Sequence, residues 1–363
     1  CIRDRPQVPQ QAQVPERGVQ GAVLRGVRGL RGMAQVAEGE GPQGGAQEGG
    51  VAVKLDRTLF FWAVNRPSEC EVLDELGVPL NILVSAGLFW RGIRFAKRIP
   101  KPNNLNLIMV DSGAQQFTKF KGYPYTNRAY YYAACKWGLG EGDFLVALDY
   151  PLTLIFRFKS DPDKNDITLV GHRDGFSHTP EYWIRKTVEN AVELVGIHED
   201  LGWGRFNIML PVQGLPLRLY ELCLDLYKEH GLSDWPYWGA GSVCDVPNPN
   251  HVFRVITLLR KRLGQDKWIH AWGPSVTAMK LVAKHPGLLD SWDSSMWNPL
   301  RAGRDHEMLM ARPVALRTWN GRGFIERRGV RIDRRAALAY NSKEWLKFLK
   351  WLERIQKGQM TLT

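Results

Sequence analysis

The stretch LLDSWDSSMWNPLRAGR, residues 288–304, begins with an apolar pair, alternates through Asp290, Trp292 and Asp293, and then becomes polar. This pattern is typical of a buried strand that ends at a functional surface. A single Asp at such a position more often caps the following helix. Three other apolar runs, however, also end in a carboxylate or carboxamide: LIMVDSG (107–113), FLVALDYP (144–151) and IMLPVQG (208–214). Four such endings are difficult to explain by helix capping.

These four runs belong to a longer series of strand and helix candidates. The strand candidates are LFFWAV (59–64), NILVSA (81–86), NLIMVD (106–111), FLVALD (144–149), FNIMLPV (206–212), YWGAGSV (237–243), KWIHAWG (267–273) and LLDSWD (288–293). Helix candidates between them include PSECEVLDELG (67–77), PEYWIRKTVENAVELVGIHED (180–200), PLRLYELCLDLYKEHG (216–231) and NPNHVFRVITLLRKRLG (247–264). Eight strands alternating with helices over about 240 residues predict an α/β fold, a (β/α)8 TIM barrel. An open doubly wound sheet is disfavoured because no GxGxxG follows the first strand.

In such a barrel the carboxyl ends of the strands converge on one face, where catalytic residues gather. We therefore expect Asp111, Asp149, Gln213, the glycines of GAGSV and Asp293 to surround one mouth. The long segment that follows Asp149, residues 151–178, is predicted to form a lid or a ligand clamp on this face.

Composition limits the classes of function. The 363 residues carry a formal net charge of +12 and a pI near 9.5, which predicts a polyanionic partner such as nucleic acid. The five cysteines are scattered without a CxxC, so neither a disulfide framework nor a zinc site is predicted. There is no secretory signal and no long apolar run, and we expect a cytoplasmic protein that does not contact a membrane.

Three segments are predicted. Residues 1–52 contain no aromatic residue and no Lys, so we expect a disordered or non-native segment, followed by the barrel at 53–312. Residues 313–363 are predicted to form a basic hairpin and a helix. The hairpin sequence RTWNGRGFIERRGVRIDRR (317–335) has seven arginines and two acids. Its arginines either contact phosphates or form a solvated surface. The apolar stripe of the final helix is expected to pack against the barrel.

The carboxylates suggest a chemistry. Two carboxylates that face each other across a pocket suit cleavage of a glycosidic bond. A further carboxylate and a carboxamide can recognise guanine, because the carboxylate accepts from N1–H and N2–H while an amide or a backbone N–H donates to O6. Asp149, Gln213 and the GAGSV glycines are of the right type for that task.

At this point the sequence resembles a known family. DSGAQQF (111–117), ALDYP (147–151), VQG (212–214), GAGSV (239–243) and WDSSMWNPLRAGR (292–304) are similar, in order, to the motif series of the tRNA-guanine transglycosylases over roughly residues 57–305. The DSS continuation is closer to the archaeal branch of that family. The resemblance implies a (β/α)8 barrel that exchanges guanine in a nucleic acid for a 7-deazaguanine base.

The resemblance also implies roles for individual residues. Asp293 matches the nucleophile that forms a covalent link to C1′, and Asp111 matches the general acid/base. The implied substrate-binding residues are Asp149, Gln213, Ser112, Gln116 and Gly241, the last of them near the position whose backbone contacts O6. The arginines that we expect to contact nucleic acid are Arg301 and Arg304 after the nucleophile, and Arg327 and Arg328 in the hairpin.

Two departures from the family pattern matter. The family's CxCxxC zinc site is absent, since no Cys follows Cys244, and an arginine-rich hairpin stands in its place. Position 115 is Gln where the family has an aromatic residue that stacks on the base, so we expect Trp272 or Trp292 to supply the stacking. Because of these departures, the chain resembles most the divergent branch of the family that inserts a 7-deazaguanine into DNA. The sequence FFWAVNRPSE (60–69) is also similar to that branch.

The expectation from the sequence is therefore an enzyme, a pentosyltransferase that exchanges guanine in DNA for a base such as 7-cyano-7-deazaguanine and uses no cofactor. Its partners would be DNA and the free base, and a homodimer or a helper protein stays open. One alternative keeps the chemistry and takes tRNA as the polymer. Another is a non-catalytic nucleic-acid-binding barrel subunit, although such subunits typically lose a catalytic carboxylate.

Overall fold

The computed structural model describes residues 58–117, 122–159, 166–169, 178–244, 246–298, 314–330 and 333–360. The segment 1–52, for which the composition predicts disorder, lies outside the described residues. Residues 299–313, between the barrel and the C-terminal hairpin, also lie outside them.

Eight parallel strands close into a barrel. The strands of the described residues are β1 (Leu59–Val64), β2 (Leu80–Ser85), β3 (Leu105–Asp111), β4 (Phe144–Val146), β5 (Phe156–Phe158), β6 (Ile167–Leu169), β7 (Asn207–Val212), β8 (Tyr237–Ala240), β9 (Trp268–Ala271), β10 (Ser291–Ser294), β11 (Val314–Trp319) and β12 (Phe324–Val330). The order around the barrel is β1-β10-β9-β8-β7-β4-β3-β2, and all neighbours are parallel. Each predicted strand is present, and the predicted (β/α)8 barrel is confirmed.

Helices cover the outside of the barrel. They are α1 (Pro67–Asp74), α2 (Ala114–Phe117), α3 (Asn127–Lys136), α4 (Pro180–Leu201), α5 (Leu217–Glu229), α6 (Pro249–Leu263), α7 (Val276–Ala283) and α8 (Arg334–Gln356). The connection from β2 to β3 holds only a 3-10 turn, Ala86–Phe89, and no α-helix. None of the helices described is both long and apolar enough to cross a membrane.

Alternation along the strands divides the apolar side chains between two cores. Residues that point into the barrel form a small inner core of Phe61, Leu83, Met109, Phe144, Val146 and Met209. Their neighbours in sequence point outward and pack under the helices in a much larger core. Strands covered on both faces explain the continuous apolar runs in the sequence.

The C-terminal helix α8 takes the place of the eighth barrel helix. Trp345 and Phe348 are buried, and they pack near Trp292 of β10 with ring centroids 6.2 and 6.4 Å from its ring. At the other end of α8, the Gln356 side chain donates to Thr58 Oγ1 at 2.7 Å. The stripe on this helix therefore packs against the barrel, as predicted.

We predict that Trp345→Ala lowers the free energy of unfolding by about 3–5 kcal/mol, because it leaves a cavity between α8 and the barrel. Urea unfolding followed by circular dichroism measures the change. The matched control is Trp203→Ala, since Trp203 is 61% exposed and Trp345 only 1%. Equal losses in the two variants would contradict this packing role.

Candidate active site at the barrel mouth

The carboxyl ends of the parallel strands meet at one face of the barrel, here called the mouth, and four predicted site residues lie there. Asp111 is the last residue of β3, Gln213 directly follows β7, and Asp293 lies in β10. Asp149 lies just beyond the end of β4. Catalytic groups of TIM-barrel enzymes occupy this face.

Strand register places Asp293 and Asp111 at one height. The register leads from Asp293 to Phe61 on β1, to Asn81 on β2 and to Leu107 on β3. Because the strands of an eight-stranded barrel are tilted, hydrogen-bonded partners do not lie at equal height along the barrel axis. On each successive strand from β10 to β3, the residue at equal height lies about one position nearer the carboxyl end than the hydrogen-bonded partner. The level of Asp293 therefore reaches the end of β3, where Asp111 points inward in alternation with the inner core.

The environment of Asp111 favours its protonated form. Burial raises the pKa of its carboxyl from 3.8 to about 6, and the nearby charge of Asp293 adds to the rise. Hydrogen bonds from the backbone N–H groups of Gly113 and Ser112 oppose it, and the contact with the Ser85 hydroxyl acts in the same direction. A carboxyl with a pKa near neutrality can both give and take a proton, which suits a general acid or base.

Asp149 is the third carboxylate of the mouth and is 5% exposed. Its Oδ1 accepts from Ser112 Oγ at 2.6 Å, and its Oδ2 accepts from Gln213 Nε2. Burial raises its pKa to about 7, the charge of Asp111 contributes, and these two hydrogen bonds act in the opposite direction. Repulsion among carboxylates in a poorly solvated mouth thus keeps protons bound at pH values where an exposed Asp is ionised.

The amide of Gln213 has a defined orientation. The backbone N–H of Leu152 donates to Ser242 Oγ at 2.7 Å, so the Ser242 hydroxyl donates its own proton to Gln213 Oε1. The amide nitrogen therefore faces Asp149. Gln213 is fully buried and in this structure contacts Asp149 rather than the open mouth. Ser242 has a φ of 56°, a strained value for a residue that is not glycine and one often found at functional sites.

Two tyrosines hold the turn after Asp111. The Tyr125 hydroxyl donates to the backbone oxygen of Ser112 at 2.6 Å. The Tyr123 hydroxyl lies 2.9 Å from Ser112 Oγ and 2.7 Å from the backbone oxygen of Asp149. Ser112, predicted to bind substrate, thus connects these tyrosines to Asp149. Nothing in the spacing of the tyrosines in the sequence indicated this contact.

Gly241 and Gln116 have packing roles at the mouth. A Cβ added to Gly241 would lie 2.2 Å from Gln213 Nε2, so only glycine leaves room for the amide. The Gly241 N–H donates to the Val212 oxygen at 3.0 Å, so it is engaged within the protein. Gln116 Oε1 accepts from Ser85 Oγ at 3.0 Å, beside Asp111.

His270 is a site residue that the sequence analysis missed. Its Nε2 lies 3.3 Å from Asp293 Oδ1, and its Nδ1 lies 2.9 Å from Ser291 Oγ. The indole N–H of Trp268 donates to the same Ser291 oxygen at 2.9 Å, so the serine proton is free to point to Nδ1. His270 then carries its proton on Nε2 and donates it to Asp293, which also accepts from the Gly273 N–H at 2.9 Å. The ring is fully buried, and burial lowers its pKa.

Two buried charged residues fix the segment after Asp293. Glu69 accepts from the Asn298 side chain at 2.8 Å, and its other oxygen accepts from the N–H of Asn65 at 2.6 Å. Arg317 donates to the backbone oxygens of Met296 and, at 3.2 Å, of Asn298. The loop that follows the proposed nucleophile is thus held from both α1 and the hairpin.

The structure distinguishes the two tryptophans expected to stack on a base. Trp292 points outward and is buried between Phe60 and Trp345, so it cannot stack on a base at the mouth and this expectation is wrong for it. Alternation along the strand turns Trp292 away from the side occupied by Asp293. Trp272 packs on the inner core, is partly exposed, and has an indole N–H without a hydrogen-bond partner in the part of the chain described.

The arginines divide into internal and exposed groups. Arg301 and Arg304 lie outside the described residues. Arg317 is buried and pairs with Glu326, and Arg335 bridges Glu71 and Glu75 of the α1 region, so neither is available as a phosphate contact in this structure. The arginines Arg327 and Arg328 are exposed on β12, the second with an ion pair to Glu326.

Within the described ranges, no group of three or more His, Cys, Asp or Glu side chains is placed to hold a metal ion. The polar side chains described at the mouth are carboxylates, amides, hydroxyls and the imidazole of His270. A scan against models of known protein families and a search of curated proteins found no match to this chain.

The raised pKa of Asp111 predicts a pH-dependent stability. Between about pH 4 and pH 6 the native state keeps a proton that the unfolded chain has released, so the wild-type protein loses stability as the pH rises through this window. In Asp111→Asn this loss should shrink by on the order of 2 kcal/mol. Urea unfolding at a series of pH values measures it.

The control for this series is Asp234→Asn, because Asp234 is exposed and precedes the amino end of β8, on the side of the barrel away from the mouth. Its stability should follow the wild-type curve. Parallel curves for wild type and Asp111→Asn would argue against a raised pKa at Asp111.

A second prediction concerns the tautomer of His270. In ¹⁵N NMR spectra at neutral pH, its ring should be neutral with the proton on Nε2, because Asp293 selects that tautomer and burial disfavours the charged form. In the double variant Ser291→Ala/Asp293→Ala both partners that select this tautomer are removed, and both tautomers should be seen. The exposed His230 is the reference signal. An Nδ1-protonated ring in the wild-type protein would contradict the assignment in which Ser291 donates to Nδ1 and Nε2 donates to Asp293.

Proposed function

We propose that this protein is a guanine transglycosylase that exchanges guanine in DNA for a 7-deazaguanine base. The observation that carries the proposal is the pair of carboxylates, Asp111 and Asp293, that reach one mouth from β3 and β10 and interact electrostatically there. Two carboxylates over one sugar are the arrangement that displacement at an anomeric carbon requires.

In the proposed first step an Asp293 oxygen attacks C1′ and the bond from C1′ to N9 breaks. Asp111, whose raised pKa lets it hold a proton near neutrality, supplies that proton to the departing guanine. The incoming base then returns a proton to Asp111 and displaces Asp293 from C1′. Two displacements give retention at this carbon.

His270 and Gly273 support this role of Asp293. Both donate to Oδ1, which leaves Oδ2 as the oxygen for attack. The buried His270 ring also restricts the rotation of the carboxylate. We assign His270 as a positioning residue, since it acts through Asp293 and does not itself reach the sugar.

Recognition of the base is assigned to Asp149. Each of its oxygens accepts one protein hydrogen bond and keeps a lone pair, which matches the N1–H and N2–H donors of guanine. Gln213 holds this carboxylate in place, and its second amide proton is the proposed donor to O6 for a base that enters to that depth. The N–H of Gly241 is already used, so it is a weaker candidate for that contact.

The charge of the chain and two sequence features support DNA as the polymer, the charge only for nucleic acid in general. The net charge of +12 favours a nucleic acid without selecting its kind. The arginine-rich hairpin in place of a zinc module, and the sequence of β1 and α1, resemble the DNA-modifying branch. We propose that the reaction uses no cofactor and that the protein is cytoplasmic.

The decisive variant is Asp293→Asn. It should abolish exchange of labelled guanine and the covalent protein–nucleic acid adduct on denaturing gels, because the amide is a poor nucleophile. The matched control is Asp290→Asn, three residues away, where the carboxylate pairs with Arg260 at 2.5 Å. That change should affect stability rather than the chemistry of correctly folded protein.

Duplex DNA and tRNA are offered in parallel in this assay. Incorporation into DNA alone supports the proposal, while incorporation into tRNA alone selects the other polymer. Exchange by Asp293→Asn at the wild-type rate, or no exchange by the wild-type protein on either polymer, would end the assignment.

A further inference from the structure

The connection between β2 and β3 departs from the barrel pattern, since a tight turn replaces the expected helix. Trp90 and Phe95 form an antiparallel bridge, and the Arg91 N–H donates to the Arg94 oxygen at 2.9 Å. We call residues 90–95 the basic turn. Gly92 has a φ of 85°, which allows the chain to reverse within so few residues.

The tip of the basic turn presents an isoleucine to solvent. Ile93 is 88% exposed, the highest exposure among the large exposed hydrophobic residues described. It lies between Arg91 and Arg94, which are exposed as well. A single exposed apolar side chain is ordinary at a protein surface, so it is the position of Ile93 between two arginines at the tip of a tight turn, and not its exposure alone, that makes it a candidate contact for a partner.

The surroundings of the tip are strongly basic. No Asp or Glu occurs between residues 86 and 110. The five cations of this stretch, all exposed, are Arg91, Arg94, Lys97, Arg98 and Lys101. In the described structure no carboxylate forms an ion pair with any of the five. This surface fits a polyanion.

Aromatic packing fixes the basic turn relative to the mouth. The rings of Trp90 and Phe95 have centroids 5.0 Å apart, and each packs on Tyr125, at 5.2 and 4.6 Å. The Tyr125 hydroxyl donates to the oxygen of Ser112, the residue after Asp111. The tip is thus connected to the proposed general acid through one buried side chain.

We propose that Ile93 is a wedge that enters the base stack of duplex DNA when the target guanine leaves it, while Arg91 and Arg94 bind the flanking phosphates. The inference rests on the proposed function. A base inside a duplex is out of reach of Asp293, and enzymes that act on such bases extrude them. Apolar side chains, isoleucine among them, are inserted between base steps by proteins that distort DNA, and the phosphates beside the gap require cations.

The test uses the full chain and a duplex oligonucleotide with 2-aminopurine next to a guanine, in a panel that varies both neighbours. Binding of the wild-type protein should raise the 2-aminopurine fluorescence, because the stack opens beside the probe. Ile93→Ala should remove most of this rise. It should also lower guanine exchange on duplex DNA by roughly tenfold and leave exchange on single-stranded DNA within about twofold, since a single strand has no stack to open.

The control is Trp203→Ala, because Trp203 is an apolar residue that is 61% exposed and lies before the amino end of β7, on the side of the barrel away from the mouth. It should behave as wild type in both assays.

A second set of variants tests whether the two arginines of the basic turn contact phosphates. Arg91→Gln and Arg94→Gln should each weaken binding to both forms of DNA and reduce the slope of log affinity against log salt by about one. Lys261→Gln on α6, also exposed, should leave that slope unchanged.

Several outcomes would overturn the wedge. They are no fluorescence rise with the wild-type protein on any duplex of the panel, an unchanged rise in Ile93→Ala, equal losses of exchange on duplex and single strand, and Ile93-dependent opening of duplex RNA but not of DNA. The fluorescence arm needs no chemistry. If the wild-type protein exchanges guanine on no polymer, the proposed function fails, while Ile93-dependent opening still supports the wedge.

Discussion

The placement of three carboxylates in one poorly solvated mouth is the constraint on which the site depends. Asp111, Asp149 and Asp293 enter one mouth from different strands, where little water reaches them. Each is balanced differently. Asp149 receives hydrogen bonds from Ser112 and Gln213, Asp293 receives them from His270 and Gly273, and Asp111 receives them from the backbone N–H groups of Ser112 and Gly113. Burial raises the pKa of both Asp111 and Asp149. In the proposed function, these different surroundings of one residue type would separate the roles of acid, nucleophile and base reader.

Much of the architecture was predictable because the hydrophobic patterns of its strands and of its helices are both strong. Strands covered on both faces are continuous apolar runs, and the helices between them are amphipathic, so all eight barrel strands were located from the sequence. The positions of Asp111, Asp149, Gln213 and Asp293 followed from the same pattern, since the carboxyl ends of parallel strands share one face. The connection from β2 to β3 did not follow the pattern, and its tight aromatic turn depends on packing against Tyr125.

Residues that act through hydrogen bonds to other elements were not predictable. His270 stands inside an apolar strand, and only the closure of the barrel brings it beside Asp293 and Ser291. Glu69 is a helix residue with ordinary surroundings in the sequence, yet it binds Asn298 across 229 positions. The seven arginines of the C-terminal segment look alike in the sequence. The fold makes Arg317 internal and leaves Arg327 exposed, a division that depends on partners distant along the chain.

The pairing of Thr58 with Gln356 has a consequence for how the molecule forms. These residues are 298 positions apart, and their contact joins the first strand to the last helix. Until α8 has been synthesised, the outer surface of β1 and β10 has no cover over Phe60 and Trp292. The closing contacts have a very high sequence separation, which makes them slow to form. Before these contacts form, the aromatic side chains of Phe60 and Trp292 are exposed on the incomplete barrel, and such transiently exposed apolar surface favours aggregation of the incompletely folded chain.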